Sequence, residues 1–75
     1  METAHVSEAS ALKRVRRLVK SDRLRELRED QGLSQSDVAR AIGVSPAQVS
    51  RWEAGLTRPR GRHAIALVAV LDGAD

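Results

Sequence analysis

Guanidinium groups dominate the side chains of this 75-residue chain that could do chemistry. Between Leu12 and Arg28 eight Lys and Arg stand against Asp22 and Glu26, and between Arg40 and Arg62 five Arg stand against Glu53 alone. The net charge is only +3, yet both blocks are basic where a polyanion would meet them. Solvated helix faces are the commoner reason for such runs, so the charge needs a structural context before it points anywhere. Other chemistries fail on residue type or spacing. Asp37, Glu53, His63 and Asp72 make no carboxylate pair, metal-ligand spacing or nucleophile-and-base arrangement. His5 and His63 are the only histidines, and no acidic cluster accompanies them. With no cysteine, disulfides, cysteine-ligated zinc and thiol nucleophiles are all ruled out. The chain is therefore expected to be no enzyme and to need no metal or cofactor.

The context comes from Ser34 to Gly55, which reads as two short helices separated by one glycine. Val38, Ala39 and Ile42 share one face of the first helix, with Asp37 and Arg40 opposite. Ser34 caps its start, with Asp37 three residues on as a weak capping box, and Gly43 closes it in a left-handed turn. The second helix, expected over 46–54, has stronger start signals: Ser45 as cap, Pro46 at the first position and Gln48 three residues after the cap. Val49 and Trp52 share its inner face. Ala47, Ser50, Arg51 and Ala54 fall on the other, which is short, polar and cationic. This is a helix-turn-helix, whose second helix normally enters the DNA major groove.

Gly32-Leu33-Ser34-Gln35, Val38-Ala39, Gly43-Val44-Ser45, Val49-Ser50-Arg51-Trp52-Glu53, Gly55 and Pro59 together resemble the lambda repressor/Cro-like (XRE) helix-turn-helix family. The likeness runs from about Leu24 to Leu71 and keeps its register across three helices and two turns. It implies an all-α, compact helical bundle of the lambda repressor-like kind. It also implies a structural salt bridge between Arg28 and Glu53, and phosphate contacts from Gln35 and Ser45 at the helix starts. In the family the loop after the recognition helix lies along the DNA backbone, which makes Arg58, Arg60 and Arg62 further phosphate candidates. Base contacts fall to the exposed recognition face. Arg51 suits the N7 and O6 edge of guanine, Ala47 a thymine methyl, and Gln48 and Ser50 base edges or phosphates. Pro46 departs from relatives that carry a base-reading glutamine there.

Around this core, residues 1–6 are expected to be disordered and 7–21 to form a basic amphipathic helix, with 22–75 as the DNA-binding domain. Ser7 can cap that helix. Leu12, Val15, Leu18 and Val19 form its apolar stripe, and Lys13, Arg14, Arg16, Arg17 and Lys20 its basic face. A phosphate-touching arm and a helix packed on the domain or on a second subunit compete, and the favoured reading is packing through the apolar stripe with the basic side left free for phosphate contacts. A membrane-surface role is the weakest reading, with no aromatic ring on that stripe. Ser21-Asp22 either restarts the helix or lies inside one rod. Trp52, the chain's only aromatic residue, points inward by its spacing and is read as a core plug. The last helix, about 62–72, is apolar all round and needs a covering surface. The N-terminal stripe supplies it, within one chain or across a dimer. Relatives usually continue into a fifth helix, whereas this chain stops at Asp75.

The expected function is sequence-specific binding of double-stranded DNA by a small cytoplasmic transcriptional regulator, repressor or Cro-like and of phage or bacterial type. No segment reads as a leader or a membrane span, and no sensor domain is expected. A homodimer, at least on DNA, would read half-sites ~34 Å apart. The alternative is an antitoxin-type repressor that also binds a protein partner through its apolar terminal helices.

Overall fold

Short-range capping fixes the central helices. Ser34 Oγ accepts from the Asp37 N–H at 2.9 Å, and the Asp37 carboxylate accepts from the Ser34 N–H at 2.8 Å. This reciprocal box starts α3, Gln35–Ile42. The carboxylate lies below its ordinary pKa because those Ser34 hydrogen bonds favour the charged form. Gly43 ends the helix at φ +90°, a conformation that side chains with a Cβ adopt at a cost. Ser45 Oγ then accepts from the Gln48 N–H at 3.2 Å and starts α4, Pro46–Glu53, with proline at the first turn. The helix ends one residue earlier than its spacing suggests: Ala54 is the C-cap.

The computed structural model describes residues 8–20 and 23–73, with Lys20 by its backbone alone. The expected disorder of 1–6, the Ser7 cap and the Ser21-Asp22 restart lie outside the described residues. The remaining helices are α1, Glu8–Lys20; α2, Arg23–Asp30; and α5, Gly61–Leu71. Among the described residues there is no strand, so the fold is the all-α bundle that the periodicity implies.

One core collects side chains from every helix. Ala11 and Val15 come from α1, Leu24 from α2, Val38 and Ala39 from α3, Val49 and Trp52 from α4, and Ala64, Leu67, Val68 and Leu71 from α5. Trp52 is 1% exposed and fills the centre, as its spacing requires. Its ring meets His63 at a centroid separation of 6.1 Å, tilted by 44°. Its Nε1 is a buried donor with no acceptor among the described residues.

The covering of α5 is settled within the chain. Helix α1 packs across α5, with Leu12, Leu18 and Val19 half-buried against the core. Glu8 at the start of α1 lies against Gly61 at the start of α5. Near the other end of α5, Arg14 binds Asp72 through two hydrogen bonds of 2.8 and 2.6 Å. This pair raises the Arg14 pKa and lowers that of Asp72, in both cases chiefly through their hydrogen bonds. Gln31 donates to the Leu71 carbonyl at 3.2 Å, tying α2 to the same end. Helix α5 is less uniformly apolar in its environment than in its composition: Ile65 is 37% exposed and Ala69 faces solvent.

Candidate nucleic-acid interface

The candidate interface is built on the outer face of α4. Ala47, Ser50 and Arg51 are exposed and Gln48 is half-buried, while Val49 and Trp52 anchor the helix from below. Small side chains flank Arg51, so the helix backbone can approach a partner closely while the guanidinium reaches past it.

The helix is braced from behind by a buried ion pair. Arg28 Nε donates to Glu53 Oε2 at 2.5 Å and Arg28 Nη2 to Oε1 at 3.1 Å, the two side chains being 10% and 9% exposed. The third connection of Arg28 runs from Nη1 to the Leu33 carbonyl at 2.8 Å. One guanidinium therefore fastens the end of α4 and the entry to α3 onto α2. The hydrogen bond to Glu53 is the main reason the Arg28 pKa rises, against the opposing effect of burial. Burial pushes the Glu53 carboxyl up, but hydrogen bonds from Arg28 and Gln35, with the charge of Arg28, together bring it below its ordinary value.

Gln35 is part of this brace. Its Nε2 donates to Glu53 Oε1 at 3.0 Å. The residue read as a phosphate contact and the pair read as structural are thus one network at the start of α3. Spacing carries no signal for this link, because the partners are 18 residues apart. One amide hydrogen of Gln35 remains for a phosphate, held at a fixed angle by the other. Ser45 is similarly divided: its oxygen caps α4, which leaves its O–H to donate outward.

The arginine loop comes to the start of α4. Arg58 and Arg60 line a surface hollow with Val44, Ser45, Gln48 and His63. Arg62 is exposed on the first turn of α5 and stands outside that lining. By its spacing in the sequence His63 has no role as a metal ligand or as a catalytic base. Its position three residues after the N-cap of α5, facing Trp52, turns it toward the hollow, and only the packing of α5 on α4 reveals that. Among the described residues no carboxylate lies within ion-pair distance of Arg51, Arg58, Arg60 or Arg62.

The geometry is that of a helix-turn-helix protein with a cationic recognition face. A family model described as helix-turn-helix, of the XRE type, matches residues 24–73. The chain belongs to that helix-turn-helix family. A protein of Methanocorpusculum labreanum, provisionally described as an HTH-type transcriptional regulatory protein, is 45% identical over 38 residues. That match covers 51% of this chain and 12% of the relative. No solved structure matches the chain significantly. Among the described residues no helix is long and apolar enough to cross a membrane.

Proposed function

We propose that this protein is a small Cro-like repressor that binds a partly palindromic operator in double-stranded DNA as a homodimer, in the cytoplasm. Helix α4 lies in the major groove, with Arg51 on a guanine edge and Ala47, Gln48 and Ser50 on neighbouring bases. Gln35, Ser45, Arg58, Arg60 and Arg62 hold the flanking phosphates. The observation that carries this reading is Arg51 exposed on a helix whose opposite face is locked into the core, with Arg58 and Arg60 lining a hollow at the start of the same helix and, among the described residues, no carboxylate within ion-pair distance of any of the three. Unpaired guanidinium groups on a rigid, narrow ridge are what a phosphate-lined groove requires. One recognition helix gives too little contact for tight specific binding, which favours two copies on half-sites ~34 Å apart.

In vitro selection from a random duplex library, followed by footprinting, tests the reading. A two-fold symmetric consensus containing guanine, with discrimination at that guanine reduced by ~1–3 kcal/mol in Arg51→Ala, is the expected result. Selection that yields no consensus and no protected segment would sink it. The antitoxin reading needs free apolar faces on the terminal helices. Those faces pack on each other, so no observation favours it.

A further inference from the structure

We infer that α1, which precedes the residues matched by the family model, carries a DNA-phosphate site of its own where Arg16 meets Arg58. The inference rests on the DNA-binding reading and extends its footprint onto an element outside the helix-turn-helix.

The last turns of α1 lie against the turn that follows the recognition helix. A Cβ added at Gly55 would lie 3.5 Å from Val19 Cγ1, so the helix and the turn are in contact. Arg16 precedes Val19 by three residues and therefore shares its side of the helix. Arg16, Val19, Gly55 and Arg58 line one surface hollow. Two arginines on separate elements thus border the same hollow. Among the described residues no carboxylate lies within ion-pair distance of either. Like charges brought together without a counter-charge favour an anion between them.

The chemistry of the hollow selects the anion. Its lining is two arginines, a valine and a glycine, which supply positive charge and donors and no side-chain acceptor. A phosphodiester, which needs charge and donors but no pattern, fits. The contrast with Arg14 sharpens the assignment. Two residues earlier on the same helix, Arg14 is held by Asp72 and serves packing. Arg16 points to the loop whose Arg58 is already a backbone candidate, and the two continue one basic strip from the recognition helix onto α1.

The test is fluorescence anisotropy of the full chain with a random-sequence duplex of about three helical turns, over a salt series. Arg16→Ala, Arg16→Lys, Arg58→Ala and Arg51→Ala are compared with the unaltered chain, each with a melting curve. Arg16→Ala should lower the slope of log K against log salt by about 0.9 per bound protomer, about 1.8 for a dimer, as one lost phosphate contact in each copy does. Arg16→Lys should restore most of it. If Arg16→Ala melts early, Arg16→Gln provides the same comparison with the side-chain stem retained. A folded Arg16 variant with an unchanged slope, alongside a reduced slope for Arg58→Ala, overturns the α1 site and leaves the DNA reading standing. An unchanged slope with weakened self-association in sedimentation would assign Arg16 to a subunit contact, and also overturns it. Failure of the unaltered chain to bind the duplex at any salt overturns both.

Discussion

Arg28 and Arg51 are the same residue type put to opposite uses. Arg28 is 8% exposed and spends its guanidinium on Glu53 and the Leu33 carbonyl. Arg51, two residues before Glu53 and on the far side of the same helix, is exposed, and among the described residues no carboxylate lies within ion-pair distance of it. The pattern extends to their surroundings. Arg14, Arg23, Arg25 and Arg40 each stand within ion-pair distance of an acid, whereas among the described residues no acid stands so near Arg16, Arg58, Arg60 or Arg62. Residue type alone does not say which arginines build the protein and which meet its ligand. Acid placement does, and here acids are withheld from one surface.

Breaking the buried member should have the largest effect. Arg28→Ala leaves Glu53 charged and enclosed, at a cost of about 3–5 kcal/mol, which lowers the melting temperature by roughly 12–40 °C in a domain this small. Arg28→Met with Glu53→Leu should recover much of that loss, because a packed apolar pair needs no counter-charge. Thermal melts of the single and double variants make the comparison.

Acid should unlock the same brace. The Glu53 carboxyl is depressed in the folded state, so the stability it contributes is present above its unfolded value of about 4.3 and is lost as pH falls through the lower folded value. Asp37 and Asp72, also depressed, act in the same direction. Denaturant midpoints should be flat above about pH 5 and fall below about pH 4, with a shallower fall in Glu53→Gln, which begins from a lower midpoint.

On the exposed side the signs reverse. Arg51→Ala should leave the denaturant midpoint nearly unchanged, within ~0.5 kcal/mol, while operator discrimination falls by ~1–3 kcal/mol. A large loss of stability would place Arg51 with Arg28 and break the comparison. Arg58→Ala and Arg60→Ala should each reduce the salt slope by about 0.9 per bound protomer on any duplex sequence, with no change in base preference. The smallest effect belongs to Arg14→Ala. Its partner Asp72 is 46% exposed, and such pairs contribute about 0.2–1 kcal/mol, a shift in melting of roughly 1–8 °C.

Much of this was legible because it is local. Ser34, Gly43 and Ser45-Pro46 each act over three or four residues, so the sequence places the turn and both its helices directly. Periodicity likewise put Val49 and Trp52 inside. The Arg28–Glu53 pair was reached only through resemblance, since nothing in a 25-residue separation announces a contact. Long-range pairing was out of reach altogether. Gln35 on Glu53 and Arg14 on Asp72 are made by packing, not by pattern. For the same reason an apolar stripe such as Leu12 to Val19 shows that a helix must be covered without saying by what, and the choice between its own chain and a second copy was settled by α1 lying across α5.

The seating of the first helix on the last also sets an order of assembly. Lys20 closes α1, and Leu71, the end of the helix that covers it, is made 51 residues later, roughly 3–10 s at ordinary rates of translation. Throughout that interval Leu12, Val15, Leu18 and Val19 stand without their partner on the nascent chain. The turn-helix unit between them has every cap it needs and can form first. The domain is therefore finished by its two ends, which can meet only once α5 has been made.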